Sequence, residues 1–377
     1  MIKCQKHLFD IPEDITYLNA AYMGPITKVA AEIGKAAVER KLNPWSIAVS
    51  DFFSIPDRIY ELSAALISAE PSDMAIVPSV SYGIAVAAKN VAVSEGQKII
   101  IMADQFPSNV YSWKELASEK GAFLETVDWP NDGDWTAALI AAIDDNTAVV
   151  ATANAHWTNG ALIDLVAVSK KARSVGAALV LDLTQTLGVT PFSVKDVDPD
   201  YMVVGAYKWL MGPYSFGFIY VAPRNHGGKP IEDSWLTRKD ADDFARLVDY
   251  KDEYEPGARR FDMGEKSNFI NAPIAISALE LLNDFGVENV SAYIKTLTDY
   301  IAARAQAIGL NVALPQYRVP NLIGINFKDG VPEHIAPALA ANNIFVSIRG
   351  DSIRVAPHIY NDKADIDRLF SVLESEL

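Results

Sequence analysis

Two polar residues that could do chemistry each follow a strongly apolar segment. Lys208 comes shortly after the run Tyr201–Gly205, and Asp182 closes the run Ala178–Leu181. A lysine held away from water has a lowered pKa and becomes a nucleophile that can condense with an aldehyde. A buried carboxylate is costly unless a cation or a proton faces it. The pair therefore predicts one ligand that engages both an amine and an acid.

Pyridoxal 5′-phosphate (PLP) would satisfy both groups. Its aldehyde would take the amine of Lys208 as an internal Schiff base, and its ring nitrogen would face Asp182, which keeps the pyridinium charged as an electron sink. The turn Ser79–Gly83 adds small hydroxylated residues and a glycine ahead of a helical pattern. The backbone N–H groups of such a turn can hold a phosphate. On its own it more often marks an ordinary helix start.

The elements around these residues indicate an α/β fold with a mainly parallel sheet. Between residues 70 and 225, short apolar runs alternate with helical patterns, as in a sheet wound with crossover helices. A helix is predicted over Asp164–Val175, and strands are predicted over Met74–Pro78, Lys98–Ala103, Ala148–Ala153, Ala178–Leu183, Tyr201–Gly205 and Phe216–Val221. Ligands of such sheets bind where the strands end, which is where Ser79, Asp182 and Lys208 fall.

The C-terminal part of the chain predicts a second, smaller α+β lobe. The charged stretch Asn225–Gly264 is interpreted as a connection between lobes. Beyond it we predict helices over Ala272–Phe285 and Lys363–Glu376 and strands over Leu322–Phe327 and Ile344–Val346. We accordingly assign residues 20–255 to a large PLP-binding domain, and residues 1–19 and 256–377 to the small domain.

Composition excludes several classes of function. The formal net charge of −15 disfavours nucleic acid and anionic membranes as partners. A signal peptide and a long apolar span are not recognised, which predicts a cytoplasmic protein. The single cysteine, Cys4, and five scattered histidines predict neither a disulfide nor a metal site.

The chain resembles the class V aminotransferases of PLP fold type I, which are relatives of cysteine desulfurases, kynureninase and isopenicillin-N epimerase. The resemblance covers almost the whole chain. The order and spacing of four motifs carry it: Tyr17-Leu-Asn-Ala-Ala, Asp182-x-x-Gln185, Lys208 before Gly212-Pro213, and Ile353-Arg354-Val-Ala-Pro-His-Ile-Tyr-Asn361.

This resemblance implies a role for each matching position on the cofactor. Lys208 would be the Schiff-base lysine and proton shuttle, and Asp182 the partner of the ring nitrogen. Gln185 would donate a hydrogen bond to the ring hydroxyl, and the aromatic ring of Phe106 would lie over the cofactor. The phosphate would be held by Ser81 and Tyr82.

Three segments depart from the family pattern. Tyr207 stands where relatives often have a histidine before the lysine, and it could still reach the phosphate. His156 falls at the strand end where relatives place an asparagine, so we predict that it contacts the ring hydroxyl. The segment Gly264–Asn268 occurs where relatives reach the partner subunit's phosphate, but it lacks the usual Gly-Thr. We predict contacts there from Ser267 and Asn268, in a homodimer.

At the substrate end, the resemblance implies that Arg354 clamps a carboxylate as a bidentate fork. Asn19 would lie beside that carboxylate. Arg349 is a nearby competitor for the same role, and Asp351 is a possible salt-bridge partner of Arg354. We favour Arg354 because it begins the matching segment.

These observations predict an enzyme that acts on an amino acid or amine, and an aminotransferase first of all. A persulfide-forming desulfurase is disfavoured because residues 343–353 contain no cysteine. Kynureninase-like or selenocysteine lyase-like cleavage and epimerisation stay open. A binding module without turnover is a further alternative, but such a module has no need of the lysine. The substrate and its pathway are not specified by the sequence.

Overall fold

The computed structural model describes residues 2–377 as alternating strands and helices. The strands are β1 (Thr16–Tyr17), β2 (Met74–Val77), β3 (Lys98–Met102), β4 (Phe123–Val127), β5 (Thr147–Thr152), β6 (Ala178–Asp182), β7 (Tyr201–Gly205), β8 (Gly217–Val221), β9 (Ile323–Asn326), β10 (Ile344–Phe345), β11 (Ser347–Arg349) and β12 (Ser352–Val355). The helices are α1 (Lys28–Arg40), α2 (Asp51–Ala65), α3 (Val80–Asn90), α4 (Tyr111–Lys120), α5 (Trp135–Ala142), α6 (Leu165–Ser174), α7 (Val194–Val197), α8 (Asn271–Phe285), α9 (Val287–Ala307), α10 (Ile335–Ala341) and α11 (Lys363–Glu376).

A seven-stranded sheet forms the centre of the molecule, in the order β2-β8-β7-β6-β5-β3-β4. Strands β7, β6, β5, β3 and β4 pair in parallel, whereas β8 runs antiparallel to both of its neighbours. The α/β fold with a mainly parallel sheet is thereby confirmed. The six strands predicted in this region are present, and each has shifted by one residue at most at either end.

Both faces of this sheet are buried, which is why its strands are apolar throughout rather than alternating. In β3, Ile99 and Ile101 belong to the core on one face, and Ile100 and Met102 belong to the core on the other. Crossover helices cover each face. The edge strand β4 escaped prediction because its first four residues are exposed or only partly buried.

The C-terminal lobe has its own sheet and core. Strands β11, β12 and β9 form an antiparallel sheet in that order, and α9, α10 and α11 pack with it. The N-terminal strand β1 joins this lobe through parallel pairing with β10. Strand β1 and helix α11 thus both belong to this smaller α+β lobe.

Packing moves the change of lobe beyond the predicted boundary at residue 255. Helix α8 packs against α1 and α2 of the large lobe, and Phe261 belongs to a core of the large sheet. The Asp262 carboxylate also accepts a hydrogen bond of 2.7 Å from the backbone N–H of Ile76 in β2. The stretch 225–264 is therefore mostly a covering of the large lobe, and the small-lobe core begins within α9. Within residues 2–377, no helix combines the length and the apolar character needed to cross a membrane.

Candidate active site

The carboxyl ends of the large sheet open onto a cavity of about 380 Å³. Its walls come from the ends of β2, β3, β5, β6 and β7, so residues far apart in sequence meet there. The predicted residues among its lining are Ser81, Phe106, Asp182, Gln185, Tyr207 and Lys208. A larger hollow of about 530 Å³ lies between residues 233 and 252, but none of the predicted site residues lines it.

Lys208 and Asp182 face this cavity from neighbouring strand ends. Lys208 is 6% exposed, and burial lowers the pKa of its amine to about 8 although Asp182 opposes the shift. Burial also raises the pKa of Asp182, against hydrogen bonds from Thr184 and the charge of Lys208. The Asp182 carboxylate accepts the backbone N–H of Thr184 at 3.0 Å. Because the ion pairs found within residues 2–377 join neither group to an opposite charge, both remain available to a ligand between them.

The backbone around Lys208 is held by close contacts with the N-terminal segment. The backbone N–H of Gly24 donates to the carbonyl of Tyr207 at 2.8 Å. A Cβ on Gly24 would lie 2.0 Å from the carbonyl oxygen of Lys208, so no side chain fits there. The N–H of Met211 closes the turn onto the Lys208 carbonyl at 3.1 Å. The lysine is therefore fixed at its backbone, whereas its amine is free to engage a ligand.

Aromatic rings surround the amine. The Lys208 Nζ lies 5.2 Å from the ring centroid of Phe106 and 5.4 Å from that of Tyr207. Phe106 packs edge-on against Trp157, with their ring centroids 5.5 Å apart. Burial, with Tyr214 and Asp182 adding to it, raises the pKa of Tyr207 to about 12, so its hydroxyl keeps its proton at neutral pH. These rings give a planar ligand surfaces to stack on.

The start of α3 forms one end of the cavity. The Ser79 hydroxyl accepts the backbone N–H of Tyr82 at 3.2 Å and lies 3.0 Å from the Ser81 hydroxyl. Ser81 is exposed to the cavity, where a helix N-terminus favours an anion. The ring of Tyr82 does not line the cavity, and burial followed by Glu232 raises the pKa of its hydroxyl.

Gln185 is mostly occupied by the protein itself. Its Nε2 donates to the carbonyl of Ala21 at 3.2 Å, and its Oε1 accepts the indole N–H of Trp209 at 3.0 Å. One N–H of the amide is left for a ligand. Sequence reasoning missed Gln105, which also lines the cavity and whose buried Nε2 has no hydrogen-bond partner. Its place directly before Phe106 was the only available signal.

His156 lies outside the cavity, contrary to the contact predicted for it. Its ring is fully buried and stacks on Trp135 with an interplanar angle of 14°. Nδ1 lies 2.7 Å from the Thr158 hydroxyl, and Nε2 lies 3.0 Å from the carbonyl of Ala103. Both nitrogens are thus satisfied by the protein, while its neighbour Trp157 turns towards the cavity.

Arg354 occupies a second hollow of about 360 Å³ that shares Phe106, Tyr207 and Lys208 with the first. Its guanidinium donates to the Trp157 carbonyl at 2.9 Å and to the Ser347 hydroxyl at 3.4 Å. Asn19 does not line this hollow, but its amide oxygen accepts the Ser347 hydroxyl at 2.9 Å. The predicted neighbour of the carboxylate is therefore linked to Arg354 through Ser347, which sequence reasoning missed.

Ser267 and Asn268 lie outside both hollows. They line a separate depression of about 240 Å³, together with residues of α1 and Phe52. The Ser267 hydroxyl donates to the carbonyl of Phe52, and the Asn268 side chain accepts the N–H groups that begin α8. Within one chain they are not near Lys208, so any contact with a cofactor would have to be with that of a partner subunit.

The residues lining the cavity fit PLP. A buried amine with a lowered pKa suits an aldehyde, and a buried carboxyl faces the same space. The aromatic walls suit a planar ring, the start of α3 suits a phosphate, and the unpartnered Nε2 of Gln105 supplies a further donor.

Comparison with known proteins identifies the family of this chain. Residues 49–369 match the family model described as Aminotransferase class-V. An uncharacterized aminotransferase, YcbU of Bacillus subtilis, is 29% identical over 80% of this chain and 79% of its own. Kynureninase of Bacillus cereus is 24% identical over 99% of this chain and 92% of its own.

Solved structures show the same fold at lower identity. The apo cysteine desulfurase of Thermococcus onnurineus covers 100% of this chain and 98% of its own, with a TM-score of 0.85 and 16% identity. A mutant of the enzyme C-DES with glycine linked to its PLP gives a TM-score of 0.88 at 18% identity, over 98% of both chains.

Proposed function

This chain belongs to the class V aminotransferase family and is a PLP-dependent enzyme, and from that premise we propose that it transfers the amino group of an amino acid. The observation that carries the proposal is the buried amine of Lys208. Burial brings its pKa down to about 8, so about a tenth of the amine is the uncharged nucleophile at pH 7, against well under about a hundredth for an ordinary lysine. A fold kept only for binding would not need this costly group.

When bound, PLP supplies an aldehyde that attaches covalently to an amine and a ring that withdraws electrons from the substrate Cα. We assign the attachment to Lys208. We also assign to its amine the transfer of the Cα proton, because Lys208 lines both the cofactor cavity and the hollow that contains Arg354. Asp182 would keep a proton on the ring nitrogen, Gln185 would bind the ring hydroxyl, and Phe106 and Trp157 would exclude water. The phosphate would be held by Ser81 and by the start of α3, where Tyr82 acts indirectly, because its backbone N–H fixes the Ser79 hydroxyl beside Ser81.

Arg354 binds the substrate carboxylate in this proposal. The residue is 1% exposed, yet its guanidinium donates only to neutral acceptors, and its Nε has no hydrogen-bond partner. A carboxylate in the second hollow would accept from it, with Asn19 fixing Ser347 behind it.

A spectroscopic screen tests transamination. Purified holoenzyme is mixed with single amino acids, and the visible band of the bound cofactor is followed before and after a keto acid is added. Loss of the band with an amino acid and its recovery with a keto acid, with the new amino acid appearing in stoichiometric yield, is the expected result. A protein that binds the cofactor but responds to none of the amino donors would overturn the proposal.

Lyase chemistry is the second candidate, because several relatives are named kynureninase. The aromatic lining of the second hollow, with Phe106, Trp157 and Tyr207, also suits an aromatic side chain. The same screen separates the two reactions, since a lyase releases a fragment of the side chain and needs no keto acid to recover.

We further propose that the enzyme is a homodimer with its site completed across the interface. Leu42 and Trp45, which follow α1, are 75% and 82% exposed, and the nearby Lys41 and Ile47 line the depression that contains Ser267 and Asn268. A second copy covering this surface would bury the apolar side chains and present the segment 264–268 to the partner's phosphate. Sedimentation should show a dimer that Trp45→Glu weakens. A stable wild-type monomer with full cofactor occupancy would contradict this.

A further inference from the structure

The second hollow carries two arginines. Arg349 ends β11 and Arg354 lies in β12, and the register of this antiparallel hairpin sets Ser347 opposite Arg354. Because residues two apart in a strand share a face, Arg349 lies on the same side as Ser347. Both guanidinium groups line the hollow that also contains Lys208.

Neither arginine is balanced by an acid. The Arg349 guanidinium donates to the carbonyl of Ile348 at 2.7 Å and lies 5.6 Å from the ring centroid of Trp157. The Arg354 guanidinium likewise donates only to a carbonyl and a hydroxyl. Within residues 2–377, several other arginines form ion pairs with carboxylates, but Arg349 and Arg354 form none. Asp351, a predicted partner of Arg354, does not pair with it.

The two cations act on one another and on the lysine. Burial and then Arg349 lower the pKa of Arg354 to about 9. The same two arginines also lower the pKa of Lys208. Burying like charges side by side is unfavourable unless a ligand brings the opposite charges. The α-carboxylate of a substrate would balance the charge of Arg354 alone. An amino acid with a neutral side chain would therefore leave the charge of Arg349 unbalanced.

We propose that the substrate is an amino acid with a second acidic group on its side chain, bound with its α-carboxylate on Arg354 and its side-chain acid on Arg349. This rests on the proposed function and adds to it a substrate class, that of dicarboxylic amino acids and their keto acids. Arg354 takes the α-carboxylate because it is the deeper of the two, beneath Trp157. Arg349 is only partly buried, so it stands nearer to the mouth, where a side chain would extend.

The aromatic residues of the second hollow do not favour a substrate with a neutral aromatic side chain, because Arg349 lines the same hollow. A phenyl side chain could contact Phe106 and Tyr207, but it would displace water from Arg349 without providing an acceptor. Leaving a charged donor unmatched in this way costs more than the contact area returns. The ring of Trp157 is itself engaged, with Arg349 over its face.

Calorimetry with unreactive acids tests the arginine pair without requiring turnover. Succinate and propionate have similar carbon skeletons and differ by one carboxylate, and each is titrated into wild-type holoenzyme and the Arg349→Gln variant. A charge-assisted interaction stabilises a complex by about 1.5–3 kcal/mol, so wild type should prefer succinate by about tenfold to a hundredfold. Arg349→Gln should reduce that preference to within about threefold while propionate binds as before.

A control variant removes one positive charge elsewhere. Lys328 is exposed in the loop after β9, so Lys328→Gln should keep the full preference for succinate. The visible band of the bound cofactor confirms that Arg349→Gln is folded and loaded. Equal binding of both acids by wild type, or an equal loss of both in Arg349→Gln, would overturn the assignment. Failure of transamination would appear instead in the amino-donor screen and would leave the calorimetric preference intact.

Discussion

The carboxyl edge of the large sheet and the β11–β12 hairpin face each other across Lys208, and they differ in charge balance. At the sheet edge, the amine of Lys208 and the carboxyl of Asp182 address the same cavity, so cation and anion are supplied together. The hairpin supplies Arg349 and Arg354 to the second hollow, and its acid, Asp351, does not line that hollow. The first region is matched to a ligand that carries both kinds of charge, and the second is matched to anions.

This difference separates chemistry from selection. Asp182 and Lys208 belong to the ends of β6 and β7, which are paired on both sides and buried on both faces, so these groups are held in a fixed geometry. The hairpin belongs to the other lobe, and its arginines line the second hollow but not the cavity at the sheet. Changes at the sheet edge should therefore abolish reaction with every substrate, whereas changes in the hairpin should alter which substrate is bound.

The largest effect is expected from Lys208→Ala. Removing the amine should abolish covalent attachment of the cofactor, because Lys208 is the lysine that lines the cavity. The measurement is mass spectrometry of peptides after borohydride reduction, with Lys328→Ala as a control for loss of a lysine outside the cavity. Reduced cofactor found on another lysine of the variant would refute the assignment.

Asp182→Asn should come next. A carboxylate lost from a buried interacting pair costs about 4 kcal/mol, and each 1.4 kcal/mol on a barrier is about tenfold, so Cα proton exchange should slow by about a thousandfold. The cofactor should still bind through its phosphate. Asp182→Glu should recover part of the rate, because it restores the negative charge but its longer side chain places the carboxylate differently. Deuterium loss from the substrate Cα measures this, and near-normal exchange in the asparagine variant would remove Asp182 from the mechanism.

Arg354→Gln should have a smaller effect, confined to the substrate. The loss of charge-assisted hydrogen bonds to one carboxylate corresponds to about 1.5–3 kcal/mol, or about tenfold to a hundredfold in affinity. Covalent cofactor attachment should be unchanged. If attachment fell together with substrate affinity, the hairpin would not be separable from the sheet edge in the way described above.

The smallest expected effect is a shift in pH dependence. Only the uncharged amine attacks an aldehyde, so the rate of cofactor attachment to apoenzyme should rise with pH and level off above a pKa of about 8. Asp182 raises this pKa and Arg349 lowers it. The midpoint should therefore move down in Asp182→Asn and up in Arg349→Gln. Shifts in one direction in both variants would show that charge does not set the lysine's pKa.

The sequence predicted the buried parts of the fold well. Strands such as β7 are apolar at every position because both faces of the sheet are covered, and such runs are recognised without a structure. The polar ends of β6 and β7 were recognisable for the same reason, since Asp182 and Lys208 interrupt apolar patterns. Helices α1 and α9 are among those for which no bounds were predicted. Each is only partly buried, and tertiary packing rather than a strong local pattern stabilises it.

Contacts between lobes could not be predicted in the same way. Ser347 and Asn19 are far apart in sequence, and their hydrogen bond exists because β1 and β10 pair in parallel. His156 lies one residue before Trp157, which lines the cavity, and which of two neighbours points inward depends on local twist. The charged composition around residue 255 predicts an exposed segment. It gives no information on which lobe that segment packs against, so it could not place the boundary between the lobes.

The close fit of Gly24 against Lys208 has a consequence for how the two lobes are joined. The N-terminal segment leaves the small lobe at Asn19, which bridges to Ala356, and reaches the lysine backbone five residues later through Gly24. A Cβ at position 24 would meet the Lys208 carbonyl at 2.0 Å, so a larger residue there would displace either this connection or the backbone of the reactive lysine.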